Sequence, residues 1–67
     1  MPFVRIDVLE GRPRERLKVL ISRVTDTVAE VLETPRERVR VVVTEVPRDL
    51  WGIGGVPASE VRADGER

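Results

Sequence analysis

The sequence predicts an α/β (α+β) fold built from one β-α-β unit with a short carboxy-terminal hairpin. Two strand-like segments flank one helical segment, and short connections join them. Strand, helix and strand connected in this way form a right-handed crossover with the two strands parallel. A Gly-rich segment near the carboxy terminus predicts the hairpin. We expect a single domain over residues 1–67, with residues 63–67 as a frayed tail.

The first strand is predicted over residues 3–9, almost at the amino terminus. Val4, Ile6 and Val8 occupy every second position there, which is the period-two pattern of a strand with one buried face. The residues between them, which include Arg5, would lie on the opposite face.

A turn over residues 10–13 is predicted to lead into the helix. Gly11 permits unusual backbone dihedral angles, and Pro13 is pre-set for the first helical turn. Thr34-Pro35 then ends the segment. The prediction of one amphipathic helix of about five turns rests on aliphatic side chains at helical spacing, namely Leu17, Leu20, Ile21, Val24, Val28, Val31 and Leu32.

The second strand is predicted over residues 39–45, which are rich in β-branched residues and nearly continuous in apolarity. Such a run is typical of a central strand that is covered on both faces. Arg40 interrupts the run. Further on, Gly52-Ile53-Gly54-Gly55 indicates a tight turn or a short hairpin.

The composition points to self-association. The chain has 67 residues with no Cys and no His, so it has no disulfide framework and no thiolate or imidazole metal site. A domain of this size buries too little apolar surface to offset its conformational entropy comfortably. We therefore expect burial against other copies of the same chain.

The charge balance and hydropathy limit the classes of partner. Twelve basic residues balance twelve acidic ones, so no overall field favours a nucleic acid or an anionic membrane. No apolar run approaches the ~20 residues that cross a bilayer, and the start lacks the regions of a signal peptide. We expect no nucleic-acid or membrane partner and a cytoplasmic location.

The amino terminus offers the most plausible base, because His, Cys and Tyr are absent. If Met1 is removed, Pro2 presents a secondary amine at the start of a strand. An ordinary α-amine titrates at about 7.7 to 8.0. Desolvation by Phe3, Leu50 or Trp51, together with nearby guanidinium groups, would lower the pKa of the Pro2 amine. A sequence that begins Met-Pro is by itself a weak signal.

Two arginines and a tryptophan each have a structural and a functional interpretation. Arg40 either pairs with Asp7 or Glu45, or binds a substrate carboxylate through parallel hydrogen bonds and stabilises enolate charge. Arg12 lies on the loop after the first strand. Trp51 either fills a core or an interface, or forms the wall of a pocket.

Four motifs follow one another along the chain. They are Pro2 itself, residues 9–12 (Leu-Glu-Gly-Arg), residues 39–45 (Val-Arg-Val-Val-Val-Thr-Glu), and Trp51-Gly52-Ile53-Gly54-Gly55 followed by Ala58-Ser59. In their order and spacing they resemble the 4-oxalocrotonate tautomerase family, also called 2-hydroxymuconate tautomerases. The resemblance extends from Pro2 to about Arg62.

The resemblance implies an assembly and a set of site residues. Sheets would be shared between subunits in four-stranded dimers, and three dimers would form a homohexamer. The catalytic residues would be Pro2, as general base and acid, and Arg40 from a neighbouring subunit, as a ligand for one carboxylate and the oxygen end. The substrate-binding residues would be Arg12 for the other carboxylate, the Leu9 N–H for the dienol oxygen, Trp51 as the apolar wall, and Arg62 near the site.

The expected activity is a cofactor-free, metal-free isomerisation of a small dicarboxylate or 2-oxo acid such as 2-hydroxymuconate. Trp51 stands where the best-known members of the family have Phe, and at this departure the resemblance implies the chemistry but not the substrate preference. Two alternatives stay open: a non-catalytic oligomeric or ligand-binding module on the same fold, and a dehalogenase-like or hydratase-like activity within the superfamily. Acrylate dehalogenases use an added glutamate, and the Leu50–Ile53 loop provides no such carboxylate.

Overall fold

The computed structural model describes residues 1–61 as a β-α-β unit followed by a short hairpin. Strand β1 spans Phe3–Leu9, helix α1 spans Arg14–Leu32 and strand β2 spans Arg40–Val46. This confirms the predicted fold, while the expected frayed tail, residues 63–67, lies outside the described residues. Within residues 1–61, no helix has the length and apolarity that a membrane crossing requires.

Strands β1 and β2 are parallel, in a register that runs from Phe3 opposite Arg40 to Leu9 opposite Val46. A backbone hydrogen bond lies at each end of this ladder. The Arg40 N–H donates to the Pro2 carbonyl, and the Glu10 N–H donates to the Val46 carbonyl, both at 3.0 Å. Even-numbered residues of β1 therefore direct their backbone groups to β2, and odd-numbered residues direct theirs to the opposite side, which we call the outer edge of β1.

The helix covers one face of this two-stranded sheet. Val4, Ile6 and Val8 are half-buried on that side, as predicted. Three side chains are buried among residues 1–61, namely Leu17, Val39 and Ala58. Among residues 1–61 the second strand is therefore covered on one face and not on both. The exposed face, which we call the open face, carries Phe3, Arg5, Asp7, Arg40, Val42 and Thr44.

The bounds of strand β2 and the start of helix α1 differ slightly from the prediction, and β2 spans Arg40–Val46 where residues 39–45 were predicted. Strand β2 begins at Arg40 because Val39 closes a 3-10 turn, Arg36–Arg38, with its N–H donating to the Arg36 carbonyl at 3.0 Å. Helix α1 begins at Arg14, after Pro13. Pro13 has an extended ψ of 141°, and its carbonyl accepts the Arg16 N–H at 3.0 Å. Pro13 therefore precedes the first helical turn, where the prediction had placed it within that turn.

The predicted hairpin is present. Strand β3, Gly52–Ile53, pairs antiparallel with strand β4, Val56–Pro57. The two connecting residues, Gly54 and Gly55, have φ values of 60° and 88°. Positive φ at both central positions defines a type I′ turn and explains the paired glycines. The hairpin is tied to the preceding segment because the Ala58 N–H donates to the Trp51 carbonyl at 2.7 Å.

The carboxy-terminal end of α1 places a non-glycine residue in the left-handed region. Glu33 has a φ of 54° and a ψ of 51°. The Thr34 N–H donates to the Ala29 carbonyl at 3.0 Å and the Glu33 N–H to the Glu30 carbonyl at 3.3 Å, which together form a Schellman motif. Glycine is the residue usually found at this position because it has no Cβ to clash.

We predict that Glu33→Gly stabilises the chain by about 0.5–1 kcal/mol, because it relieves left-handed strain and removes an acidic group from the negative end of the helix. The control is Glu30→Gly, an exposed residue inside the helix, which should destabilise it by about 1 kcal/mol. Denaturant unfolding at one fixed protein concentration measures both changes. A Glu33→Gly variant less stable than wild type would contradict this account of the helix end.

Candidate active site

Pro2 is held in place at the start of the sheet. It is half-buried, and its carbonyl accepts the Arg40 N–H as the first bond of the β1–β2 ladder. Met1 precedes it and is 81% exposed, so the peptide bond between them is open to processing. While Met1 is attached the Pro2 nitrogen is an amide, and removal of Met1 would convert it to a secondary amine.

The Arg40 side chain lies at the same end of the sheet, on the open face beside Phe3. Its Nη1 donates to the Glu37 carbonyl at 2.8 Å and to the Val39 carbonyl at 3.4 Å. The structural interpretation, a pair with Asp7 or Glu45, is not what the chain forms. Glu45 pairs instead with Arg14 at 3.4 Å, and the ion pairs found within residues 1–61 do not include Arg40.

Carbonyl contacts orient the Arg40 guanidinium without neutralising its charge. Because that group is also exposed, it has donors available for an incoming carboxylate. Phe3, the cross-strand neighbour of Arg40, is 61% exposed and adds apolar surface next to Pro2.

Leu9 and Arg12 lie at the opposite end of β1. Leu9 is the last residue of the strand, and as an odd-numbered residue it directs its N–H to the outer edge. Its carbonyl accepts the Arg12 Nη1 at 3.1 Å, which orients an exposed guanidinium beside the strand end. A backbone donor and a guanidinium at one place can bind an anionic oxygen or a carboxylate.

An open hollow of about 450 Å³ adjoins this end, between α1 and β1. Arg12 and Arg16 both line it, together with apolar side chains from the strand and the helix. The sequence did not identify Arg16 as a site residue. Arg12 precedes the helix, so helical spacing does not link it to Arg16, and the sequence carries no other signal for this pair.

Trp51 lies at the same end of β1 as Leu9 and Arg12. It is half-buried and follows a 3-10 turn, Arg48–Leu50. The Arg48 N–H donates to a Glu10 carboxylate oxygen at 3.4 Å, which ties this turn to the loop after β1. Leu50 is 73% exposed. Arg62, the last of the predicted site residues, lies outside the described residues.

The length of β1 separates these two groups of residues. Seven residue steps lie between Pro2 and Leu9, and at about 3.3 Å per residue the distance is roughly 23 Å. One chain therefore holds the candidate site residues in two separate groups, which we call half-sites. The amine half-site comprises Pro2 and Arg40, and the anion half-site comprises Leu9, Arg12 and Trp51. Trp51 and Leu50 follow the end of β2, which lies opposite Leu9 at the far end of the ladder from Pro2.

Comparisons with known proteins identify the family and support the fold. A family model described as "Tautomerase enzyme" matches residues 2–60. A 2-hydroxymuconate tautomerase of Pseudomonas sp. (strain CF600) is 47% identical over 62 residues, which are 92% of this chain and 98% of that protein. A probable tautomerase of Listeria innocua is 43% identical over 61 residues, covering 91% of this chain and 100% of that protein.

Solved structures of tautomerases are also similar to this chain. A heterohexamer 4-oxalocrotonate tautomerase from Chloroflexus aurantiacus superposes with a TM-score of 0.87 at 34% identity, over 92% of this chain and 100% of that one. TomN, a 4-oxalocrotonate tautomerase homologue of the tomaymycin biosynthetic pathway, superposes with a TM-score of 0.88 at 40% identity, over 92% of this chain and 95% of that one. The chain belongs to the tautomerase family of isomerases.

Proposed function

We propose that this chain is a cofactor-free tautomerase that moves a proton from the 2-hydroxyl group to C5 of a 2-hydroxymuconate-like dienol acid. The observation that carries the proposal is the position of Pro2, fixed at a strand start, in a chain whose exposed Arg40 side chain pairs with no carboxylate within residues 1–61. Two relatives called 2-hydroxymuconate tautomerase, at 47% and 44% identity, support the substrate class.

The proposed reaction begins once Met1 is removed. The neutral Pro2 amine accepts the proton of the 2-hydroxyl group, which leaves a dienolate whose charge is shared between the oxygen and C5. The protonated amine then returns the proton to C5, so the product is the conjugated 2-oxo acid and the amine is neutral again. Arg40 of a neighbouring copy stabilises the charge that develops at the oxygen end and holds one carboxylate.

The anion half-site holds the other end of the substrate. Arg12 binds the second carboxylate, the Leu9 N–H donates to the dienol oxygen, and Trp51 provides an apolar wall that excludes water. Arg62 is proposed to lie near the same site. A six-carbon dicarboxylate is much shorter than the roughly 23 Å between the half-sites of one chain, so the complete site needs Pro2 from one copy and the anion half-site from another.

The proposed assembly is a homohexamer of three dimers. The requirement for a second copy and the small number of buried side chains within residues 1–61 both support self-association. The similar protein from Chloroflexus aurantiacus is described as a heterohexamer, which supports the number of subunits. The substrate is a small molecule, and the reaction as proposed uses no metal and no cofactor.

The first prediction concerns the Pro2 amine. Protein with its amino-terminal Pro2 exposed should convert 2-hydroxymuconate, and its kcat/KM should fall as acid protonates the amine. Pro2→Ala, with Met1 still removed, keeps an amine but loses the ring geometry, so a defect of about 10- to 1,000-fold is expected. Ketonisation kinetics measure the effect, and mass spectrometry confirms each terminus.

The control for this experiment is protein that retains Met1 or carries an acetylated terminus. Its Pro2 nitrogen is not basic, so it should be less active than Pro2→Ala. Full activity of the blocked protein would rule out Pro2 as the base. Absence of turnover by correctly processed, assembled wild type on dienol acids would favour the alternative of a non-catalytic binding module.

The second prediction concerns Arg40. Arg40→Ala should lower kcat by roughly 10²- to 10³-fold, because it removes charge stabilisation in the transition state. Arg40→Lys should restore only part of the loss, because an ammonium group cannot form the bidentate bond. The matched control is Arg38→Ala, an exposed arginine of the preceding turn, which should have near wild-type kinetics. Unchanged kinetics of Arg40→Ala would assign Arg40 a structural role.

The third prediction tests whether a site is shared between copies. Pro2→Ala and Arg12→Ala should each be impaired alone. After unfolding and refolding together in equal amounts, half of the pairs are mixed and each mixed pair has one intact site, so about a quarter of wild-type activity should return. An activity no higher than the mean of the separate variants would show that each site is complete within one chain.

A further inference from the structure

The hollow between α1 and β1 is lined, among residues 1–61, by two guanidinium groups and by no carboxylate. These groups belong to Arg12 and Arg16, and the rest of the lining is apolar. The side-chain hydrogen bonds and ion pairs found in this part of the chain do not include Arg16. Two cations beside one hollow repel each other, and an anion between them is attracted by both. The function proposed above assigns a carboxylate to Arg12 and no role to Arg16.

The geometry of the helix directs the Arg16 side chain towards the loop of Arg12. Arg16 and Leu20 lie four residues apart, so they share the side of α1 that lines the hollow. Helical side chains slant towards the amino-terminal end of their helix. The loop that carries Arg12 lies at that end of α1. The Arg16 guanidinium therefore extends towards the anion half-site.

Arg14 lies on the same helical turn but has a different environment. Its guanidinium pairs with the Glu45 carboxylate of β2 at 3.4 Å, and it lines a separate hollow on the β2 side of the helix. Two residues of helix correspond to a rotation of about 200°, which turns its side chain away from that of Arg16. Arg14 thus has a carboxylate partner within the chain, whereas Arg16 has none among residues 1–61.

Helix stability does not account for the positive charge of Arg16. This residue lies in the first turn of α1, where the helix dipole disfavours a cation. The acidic residue of that turn, Glu15, contacts Lys18 at 3.5 Å. The aliphatic stem of Arg16 can cover Leu20, but that contact needs no charge. A charge that opposes the local field without a partner in the described chain indicates a functional role.

Arg12 leaves part of a bound carboxylate without a donor. Its Nη1 already donates to the Leu9 carbonyl at 3.1 Å. That contact uses one group of the fork with which an arginine binds both oxygens of a carboxylate. A carboxylate can accept about four hydrogen bonds, so a second guanidinium, from the helix side of the hollow, can bind the same group.

We propose that Arg16 binds the second carboxylate of the substrate together with Arg12, and that this second cation makes the site prefer dicarboxylates to monoacids. The inference rests on the proposed function and names the residue that selects its substrate class. The second carboxylate is remote from the atoms that exchange the proton, so the Arg16 contact is present in both the ground state and the transition state. Loss of this contact should therefore raise KM more than it lowers kcat.

A pair of substrates tests this role: 2-hydroxymuconate and the 2-hydroxy dienoic acid that lacks the second carboxylate. Arg16→Met keeps an unbranched stem and removes the charge. Its kcat/KM for the dicarboxylate should fall about tenfold, the lower range for a charge-assisted hydrogen bond, while kcat/KM for the monoacid stays within about twofold. Arg16→Gln should behave in the same way. Arg16→Lys should keep part of the preference, because it retains a cation.

The matched control is Arg14→Met, the same change two residues earlier, which should keep the wild-type preference for the dicarboxylate. It also removes one positive charge, so it separates a local contact from the overall field of the protein. Sedimentation velocity and thermal unfolding at one fixed concentration report whether each variant assembles and folds. Because the Arg16 charge opposes the helix dipole, Arg16→Met should unfold at or above the wild-type temperature.

Binding of unreactive acids tests the inference without turnover. Adipate is a saturated six-carbon dicarboxylate, and hexanoate is the matching monoacid. Titrations followed by NMR chemical shifts measure the affinity of each protein for each acid. Wild type should bind adipate about tenfold more tightly than Arg16→Met does, and the two proteins should bind hexanoate alike.

The outcomes separate this inference from the function on which it rests. Equal losses of kcat/KM for both acids in Arg16→Met, or no loss for either, would overturn the inference and leave the proposed tautomerase intact. A wild type without preference for the dicarboxylate would overturn it too. If wild type converts neither acid, the proposed function fails and adipate binding decides: weaker binding by Arg16→Met supports the contact, and equal or absent binding overturns it. Loss of the preference in Arg16→Met, with the preference kept in Arg14→Met, is the result that we expect.

Discussion

The parallel pairing of β1 and β2 is the constraint on which the rest of the molecule depends. It places the starts of both strands, Pro2 and Arg40, at one end of the sheet and fixes them together by a single backbone bond of 3.0 Å. It also carries Leu9 and the loops that follow both strands to the opposite end. Seven residues of extended chain keep these groups roughly 23 Å apart. A β-α-β unit of this length therefore cannot bring its two half-sites together by itself.

The same constraint explains why the chain is poorly buried. A helix that crosses over two parallel strands covers one face of the sheet, and the other face with its two edges stays exposed. Three buried side chains among residues 1–61 are few for a stable small domain. Self-association would provide the missing burial and complete the site in one step. Stability and activity would then depend on the same contacts between copies.

The sequence was sufficient for the parts of the fold that local chemistry determines. Alternation gave the bounds of β1 as Phe3–Leu9, and paired glycines gave the turn at Gly54 and Gly55. The start of β2 was displaced by one residue, because the 3-10 turn that binds the Val39 N–H has no strong signal in composition. The left-handed Glu33 was also not foreseen, since Glu does not mark a helix end as Gly does.

The site was less predictable than the fold, because motif spacing along a chain does not give distance in space. The four motifs suggested the residues of a tautomerase site, but only the register shows that Pro2 and Arg12 lie at opposite ends of one strand. Whether Arg40 pairs with Asp7 or Glu45 could likewise be decided only from the geometry. Glu45 is on the helix side of β2 and contacts Arg14, whereas Arg40 is on the open face.

The most direct test of the central claim, that one chain holds two incomplete half-sites, is specific activity measured in parallel with sedimentation during dilution. If the site requires two copies, activity per chain should fall over the same concentration range in which the assembly dissociates, and monomers should be inactive. Monomers that retain the full specific activity of the assembly would contradict the claim, because the site would then be complete within a single chain.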